Sequence, residues 1–481
     1  MNRKVTLLYI SLACVLSMQA QTRQQMGGVY YAYPEGPSAK TGTFGTATYV
    51  LSDSLNVPQG YAPFYISHYG RHGSRWMPKD DRYVWICKHF EDESNLTPLG
   101  LQVKGMLQRV WENAKGNGGK LSKLGALQHQ GIAHRMFERY PQIFAAGNAV
   151  KARSSVVDRC ARSMQAFTSE LHTLQPGLNL DVKTDSADMA WIAYVSPEVK
   201  ALENRTHVQA QVSPRRFLLQ LFKDVSKVDE PLKLMTEMHT VVSSIQDVGL
   251  NFSSYPQDIE DGLNALFTDD EFRAIYEANN LRMTINNGTV ATNEDIPARS
   301  AISLWQNIEA EADRALRSVK SSATLRFGHD TALYRLLSLL FDVNVPPAGA
   351  REEASLVVLG DEMEKMDRIV PMAANLQMIF YKNAKDSVLV KFMLNERDIM
   401  LSPVGQVIYG THYYSWNAWK QEMHERIHRL EHIRQLNAIN TMVGTAQANT
   451  QTAGMFGKGS EEHGQTIPAV LVPNGQNFWT P

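Results

Sequence analysis

Three segments of the chain repeat one order of hydrophobic and polar positions: a short apolar run, a polar turn and an amphipathic run. The first apolar run covers 63–69 and breaks at Gly70, the second is AVKARS from Ala149, and the third is ATLRF from Ala323. Short apolar runs that end at polar turns are typical of buried strands, and apolar residues at helical spacing are typical of helices. Each segment is therefore predicted to be a strand followed by a helix.

Helix signals also fill the space between the first two predicted strands. The run LTPLGLQVKGMLQRVWENAKG offers Thr97 as N-cap, Pro98 in the first turn and Gly116 at the exit. The run LSKLGALQHQGIAHRMFERYPQIF repeats this design, so two long helices are expected there. Farther along, LQMIFYKN and SVLVKFML have the pattern of neighbouring strands joined by a short turn.

These patterns predict an α/β fold, with a central mixed, mostly parallel sheet flanked by helices. Residues 186–320 have an almost entirely helical pattern and are expected to form an inserted α-helical cap. The α/β domain is expected to comprise 21–185 and 321–436. Residues 437–481 are polar, rich in Gly, Thr and Gln, and are expected to form a mobile C-terminal tail.

The N-terminus has the layout of a secretory signal peptide over 1–20. Two basic residues precede an apolar run from Val5 to Met18, and the small residue Ala20 follows. The apolar run is shorter than the ~20 residues that cross a bilayer, which disfavours a membrane anchor. Lipidation at Cys14 is a weaker alternative. The protein is therefore predicted to be exported, to the periplasm, the cell surface or the medium, with no stable membrane insertion after cleavage.

The composition indicates a folded chain and gives no sign of a nucleic-acid partner. The 481 residues are 43% hydrophobic and 20% charged, and the formal net charge is −1. Beyond the predicted signal peptide the cysteines are Cys87 and Cys160, which is too few for a scaffold built on disulfides. A single bridge between them and two unpaired thiols are both compatible with the sequence.

Basic and acidic side chains stand where the predicted strands end, and together they indicate a phosphate site. Ligands of open α/β sheets bind beyond the carboxyl ends of the strands. Several guanidinium groups converging there suit a dianionic tetrahedral group, because each planar fork can donate two hydrogen bonds to phosphate oxygens. The candidates are Arg71, His72 and Arg75 in RHGSR, Arg153 in AVKARS, and His329 and Asp330 in FGHDT.

The residue types also suggest how such a site would react. A histidine held among arginines stays neutral, so His72 could attack phosphorus. The arginines and His329 would stabilise the charge of the transferring group. Asp330 would protonate the leaving oxygen and then activate water. Each candidate residue taken alone also has a common structural interpretation. For example, Asp330 could cap the helix that begins at Thr331.

The motifs RHGSR, LTPLG, ARSS, DRCARSMQAF and FGHDT resemble those of the histidine acid phosphatases, the family that includes phytases and multiple inositol polyphosphate phosphatases. The resemblance covers most of 61–416. It implies a phosphohistidine on His72, no metal and no cofactor. It also implies proton donation by Asp330 and phosphate binding by Arg71, Arg75, Arg153 and His329.

The chain departs from the family pattern at two positions. The usual RHGxRxP places proline where Met77 stands, and Pro78 comes one residue later. Many inositol polyphosphate phosphatases have HAE where this chain has HDT, with a glutamate in place of Asp330 as the proton donor. Both departures bear on the shape of the pocket and on the substrate subclass.

The expected function is that of an exported phosphomonoesterase acting on small molecules, with inositol phosphates such as phytate as the favoured class. A broad-specificity acid phosphatase or a sugar phosphatase is the alternative, and an inactive surface protein that binds phosphorylated ligands is an alternative from another class. Basic residues of the predicted cap could contact additional phosphates. These residues are Lys200, Arg205, Arg215 and Arg216.

The string HERIH, from His424 to His428, matches the H-E-x-x-H signature of zinc proteases. No suitably placed glutamate follows as a third ligand, and Glu431 stands where the extended motif needs glycine. The string is therefore interpreted as part of a charged, solvated helix, and no metal site is expected.

Overall fold

The computed structural model describes residues 22–33, 57–340, 365–399 and 413–452, with side chains in the last range to 435. The predicted signal peptide over 1–20, including Cys14, lies outside these ranges. Of the predicted C-terminal tail, residues beyond Thr452 also lie outside. The part of that tail before Thr452 continues a helix that begins at Trp416.

The strands of the described residues form one mixed sheet. Its order is β3-β2-β4-β1-β5-β6-β7, and β8 pairs with β6. The four strands β3, β2, β4 and β1 are parallel, whereas β5, β6, β7 and β8 pair antiparallel. The predicted mixed sheet with parallel central strands is confirmed, as is the pairing of β5 with β6. The strands are β1 (Tyr61–Arg71), β2 (Ala149–Ser154), β3 (Asn179–Thr184), β4 (Ser322–Gly328), β5 (Asn375–Asn383), β6 (Val388–Leu394), β7 (Arg397–Ile399) and β8 (Tyr413–Ser415).

Helices cover both faces of the sheet and fill the region between β3 and β4. The two long helices expected after the first strand are α2 and α3. Their predicted N-caps are observed, since the side chains of Thr97 and Ser122 accept from the backbone N–H groups of Gly100 and Gly125. The helices are α1 (Asp80–Lys88), α2 (Pro98–Ala114), α3 (Lys123–Arg139), α4 (Asp158–Leu174), α5 (Met189–Ile192), α6 (Pro197–Arg205), α7 (Arg215–Leu221), α8 (Pro231–Val248), α9 (Gln257–Asn264), α10 (Asp269–Asn287), α11 (Ile296–Ser300), α12 (Ile302–Leu316), α13 (Asp330–Leu340), α14 (Met366–Ile369) and α15 (Trp416–Thr452).

Three large buried apolar clusters hold these layers together, and a small fourth cluster joins α6 and α11. Because side chains alternate along a strand, Ile66 of β1 packs with α3 and α4, whereas Tyr65 and Tyr69 pack with α12, α13 and α15 on the other face. The third cluster joins α7 to α10 with α1 and α2. The cap boundaries over 186–320 remain a prediction. The packing does not follow these boundaries. Helix α12 lies within 186–320 but packs on the sheet, whereas α1 and α2 lie outside that range but pack with the helices of the predicted cap.

Membrane crossing finds no support within the ranges that the structure describes. No helix there combines the length and hydropathy that a bilayer span requires.

Candidate phosphate site

The carboxyl ends of β1, β4 and β2 lie side by side and bring three polar turns together. Arg71, the last residue of β1, is in register with Gly328, the last residue of β4. The backbone N–H of His72 donates to the Gly328 carbonyl at 3.0 Å. The N–H of Ser155, just after β2, donates to the Phe327 carbonyl at 3.0 Å. Parallel strands in adjacent positions thus place the turns of RHGSR and FGHDT in direct contact.

His72 is buried and has the tautomer that a nucleophile needs. Its Nδ1 lies 3.0 Å from the Gly73 carbonyl oxygen, which can only accept, so Nδ1 carries the hydrogen. Nε2 therefore keeps its lone pair. Burial holds the pKa of His72 well below its usual value, and the charges of Arg71 and Arg75 lower it further. The imidazole is neutral at mildly acidic pH.

Arg71 and Asp330 form an ion pair at the site. Arg71 Nη2 lies 3.0 Å from Asp330 Oδ2, and Arg71 Nη1 donates to the carbonyls of Val29 and Val370 at 2.8 and 2.5 Å. Burial raises the pKa of the Asp330 carboxyl, but Arg71, Arg75 and His329 lower it by more. Asp330 is therefore ionised in the free site.

The N-terminal segment from Gln25 to Tyr30 closes one side of the site. Besides the Val29 carbonyl that orients Arg71, it supplies the Tyr30 ring, whose centroid lies 5.3 Å from the guanidinium carbon of Arg75. Arg75 also donates from Nη1 to the Trp76 carbonyl at 2.8 Å. The sequence patterns do not indicate that this segment contacts the site. It lies about forty residues before RHGSR, and only the tertiary fold brings the two together.

Arg153 is not brought to His72. Its Nη2 binds Asp181 Oδ2 at 2.5 Å, and its Nη1 donates to the carbonyls of Asp181 and Ala152 at 2.8 Å. Asp181 belongs to β3, two residues before Lys183, the register partner of Arg153, so the two side chains share a face of the sheet. In this structure Arg153 is held by Asp181, and its binding of phosphate stays a prediction.

Arg159 is the guanidinium after β2 that acts on the site. Its charge lowers the pKa of both His72 and His329, and its own pKa is lowered by burial and by the charge of Arg75. Among the described residues, its Nε has no hydrogen-bond partner. Arg159 is the second residue of α4. The sequence does offer one signal for Arg159: it is a basic residue in the first turn of a helix, where acidic residues are favoured.

His329 stands opposite His72. The two ring centroids are 5.8 Å apart with an interplanar angle of 74°, and His329 Nε2 lies 3.2 Å from Ser155 Oγ. Burial lowers the pKa of His329 to about 4, with Arg159 lowering it further. Both rings are therefore neutral over most of the acidic range.

The thiols near this region are unpaired. Cys160 is buried, with its Sγ 3.8 Å from His329 Nε2, and Cys87 is half-buried. Of the two arrangements compatible with the sequence, the structure has free cysteines.

A cavity of about 820 Å³ opens beside Asp330. It is bounded by the N-terminal segment and by residues of α6, α8 and α10. The basic cap residues singled out from sequence, Lys200, Arg205, Arg215 and Arg216, are absent from its lining within the described ranges. Its charged lining residues are Arg82, Lys233, Arg282, Glu203, Glu237 and Asp330.

The HERIH string lies on α15, away from this cavity. His424 Nε2 pairs with Glu309 Oε1 at 2.8 Å. Over the ranges with described side chains, no group of three or more His, Cys, Asp or Glu residues is arranged to hold a metal ion.

Comparisons with known proteins support this picture. No family model matches the chain. In sequence, the chain is similar to multiple inositol polyphosphate phosphatase 1 of Gallus gallus, with 23% identity over 341 residues that cover 67% of this chain and 73% of the relative.

Solved structures show the same fold. The multiple inositol polyphosphate phosphatase of Bifidobacterium longum in complex with phosphate has a TM-score of 0.62 at 17% identity, over 82% of this chain and 97% of that one. Its complex with inositol hexasulfate gives 0.61 at the same identity and coverage. The phytase from D. castellii gives 0.56 at 14% identity, over 84% of this chain and 85% of that one.

The fold is shared with solved multiple inositol polyphosphate phosphatase and phytase structures, and two histidine turns lie at its strand ends. The sequence match and the motifs RHGSR and FGHDT support the resemblance to the histidine acid phosphatases, and the named relatives are phosphoric monoester hydrolases. The predicted family and enzyme class are confirmed.

Proposed function

We propose that the protein hydrolyses phosphomonoesters through a phosphohistidine on His72, with inositol phosphates as the favoured substrates. The observation that carries this proposal is a buried, neutral His72 with a free Nε2, set beside Arg71 and Arg75 and the Asp330 carboxyl. Arg159 takes the place that the sequence assigned to Arg153. A protein that only binds phosphorylated ligands needs neither the nucleophile nor the acid.

In the first step, the arginines bind the non-bridging oxygens of the phosphate and His72 Nε2 attacks phosphorus. The bond from phosphorus to the ester oxygen breaks, and Asp330 gives its proton to that oxygen. Asp330 obtains this proton because a bound dianion offsets the arginine charges that lower its pKa in the free site. The products of the step are an alcohol and phosphohistidine.

In the second step, Asp330, now ionised, removes a proton from water, and the water oxygen attacks the phosphohistidine. The phosphorus–nitrogen bond breaks, so inorganic phosphate leaves and neutral His72 is restored. Every proton and electron pair is supplied by side chains, substrate and water.

Inositol phosphates are favoured as substrates for two reasons. Relatives similar in sequence and in fold are named as multiple inositol polyphosphate phosphatases. The cavity beside Asp330 has room for a substituted ring and presents Arg82, Lys233 and Arg282. A broad-specificity acid phosphatase or sugar phosphatase is the second candidate, since Glu203 and Glu237 offset part of that positive charge. Phosphate release from phytate, glucose 1-phosphate and nucleotides, compared by kcat/KM, tests the choice.

Chelation is expected to leave activity unchanged. Because nucleophile, charge stabilisers and acid are all side chains, phosphate release should survive dialysis against excess EDTA. The check is the rate before and after dialysis, with and without added zinc. Activity that falls on chelation and returns with zinc would contradict the mechanism and redirect attention to HERIH.

The rate is expected to peak on the acidic side of neutrality. Burial and arginine charges depress the pKa of His72, so the nucleophile remains neutral as the pH falls. Asp330 must be protonated in the substrate complex, and it loses that proton as the pH rises. The measurement is kcat against pH for an inositol phosphate. A maximum near pH 9 would rule out Asp330 as the donor.

Two neighbouring arginines provide a matched comparison. Arg159→Ala is expected to lower kcat/KM by roughly 10²- to 10³-fold, as losing one preorganised donor to a charged transition state does. Arg153→Ala is expected to change it by less than about threefold, because Arg153 binds the Asp181 carboxylate and the Asp181 and Ala152 carbonyls, which are not groups of the proposed site. Steady-state kinetics of both variants decide between them. The opposite ranking would restore the role that the sequence predicted for Arg153.

Export is proposed on the pattern of residues 1–20 alone. N-terminal sequencing of protein from the native cell is expected to begin at Gln21, and retention of residue 1 would refute cleavage.

A further inference from the structure

Ser74, in the RHGSR loop (71–75), has no role in the proposed mechanism, yet all its polar groups form hydrogen bonds. Its backbone N–H donates to Gln128 Oε1 at 2.8 Å, and its hydroxyl accepts from Gln128 Nε2 at 2.9 Å. Its carbonyl accepts from the N–H and hydroxyl of Ser122 at 2.9 and 3.0 Å. Helix α3 and its N-cap thus hold the loop from one side.

Asp247 binds Ser74 from a second helix, α8. It lies in the last turn of α8, and Ser74 Oγ donates to Asp247 Oδ1 at 2.5 Å. Asp247 is fully buried, and its Oδ2 has no hydrogen-bond partner within the described ranges. Burying a carboxyl without full pairing is costly, so its presence beside a reaction centre calls for a functional reason.

Burial favours the neutral form of the Asp247 carboxyl. Burial raises the pKa of Asp247 to about 8, although the Ser74 hydrogen bond and the charges of Arg75 and Arg71 act in the other direction. A neutral carboxyl next to the arginines leaves their positive charge available for phosphate. Because the neutral carboxyl and an amide have the same shape and charge, asparagine is the closest substitute for Asp247.

We infer that Asp247 is a positioning residue for the phosphate site, which it serves by fixing Ser74 and, through Ser74, the loop that carries His72 and Arg75. The inference rests on the proposed phosphatase function. Packing supports it: a Cβ at Gly73 would lie 2.4 Å from the Gly125 carbonyl oxygen, so the loop cannot move toward α3. Asp247 anchors the same loop to a second helix, α8.

Misplacement of reacting groups by about 1 Å can cost on the order of 10²-fold in rate. Asp247→Ala is therefore expected to lower kcat for an aryl phosphate by roughly 10- to 100-fold. Asp247→Asn should stay within about threefold of the wild type, because its amide oxygen still accepts from Ser74. The matched control is Thr168→Val, which removes a buried hydroxyl that donates to the Met164 carbonyl at 2.9 Å within α4. It should also stay within about threefold.

A double-mutant cycle separates positioning through Ser74 from general loss of stability. Ser74→Ala should lower kcat as much as Asp247→Ala, and the double variant should be no slower than the slower single variant. Fold losses that multiply would overturn the inference, as would an Asp247→Ala variant as active as Thr168→Val. If Asp247→Ala does not fold, Ser74→Ala decides, since unchanged kcat there contradicts the inference. A wild-type protein without phosphatase activity would instead refute the proposed function.

Discussion

His72→Ala is expected to abolish phosphate release, with a loss of roughly 10⁴-fold or more for every substrate, since removing a nucleophile takes away the covalent route. The arginines keep their own anchors, because Arg71 is held by the Val29 and Val370 carbonyls and Arg75 by Tyr30 and the Trp76 carbonyl. The variant should therefore still bind inorganic phosphate. Calorimetric titration with phosphate, together with initial rates, measures both properties on one preparation.

The control is His134→Ala, which removes a partly exposed histidine of α3 that pairs with Glu170 at 2.9 Å. It should match the wild type. Brief incubation of the wild type with a labelled substrate and rapid quenching should leave an acid-labile label that is missing from His72→Ala. Substantial hydrolysis by His72→Ala, or an equal label on both proteins, would show that another group attacks phosphorus.

The sequence predicts those site residues whose positions follow from the ends of the strands. His72 follows β1 and His329 follows β4, and both strands are readable because an apolar run stops at a polar turn. Adjacent parallel strands then bring the two turns together. The family motifs fall on these same turns, so local pattern and resemblance agree.

What the sequence does not show concerns contacts between distant parts of the chain. Arg153 and Arg159 both flank the turn after β2, and their order gives no reason to prefer either. The choice is made by Asp181, which arrives on the neighbouring strand β3 and binds Arg153. Tyr30 and Asp247 are likewise invisible in sequence. Each reaches RHGSR through tertiary packing, which no periodicity in its own segment records.

The same limit applies to the layers. A helical pattern over 186–320 predicts helices there, and the structure has them, but periodicity does not say what a helix packs against. Trp305 of α12 is buried among residues of the sheet, whereas Leu107 of α2 is buried with α8 and α10. Two amphipathic helices thus contribute to two different cores.

Asp330→Asn is expected to separate the two steps of the reaction. Asparagine caps a helix about as well as aspartate, so the start of α13, where Asp330 Oδ1 accepts from the Thr331 N–H at 2.8 Å, should be preserved. The amide cannot give up a proton to the leaving oxygen. An inositol alkoxide leaves poorly without a proton, so the first step should slow by roughly 10²- to 10⁴-fold on inositol phosphates. A nitrophenolate leaves without protonation, so that step is largely spared on an aryl phosphate.

Water activation also depends on Asp330, so hydrolysis of the phosphohistidine should slow for both substrates. With an aryl phosphate, Asp330→Asn should therefore release a burst of phenolate approaching one equivalent per enzyme, followed by slow turnover, and quenched samples should hold the label on His72. Stopped-flow absorbance measures the burst. Equal losses on both substrates, with neither burst nor trapped label, would mean that Asp330 serves to cap α13 and orient Arg71, and that another group donates the proton.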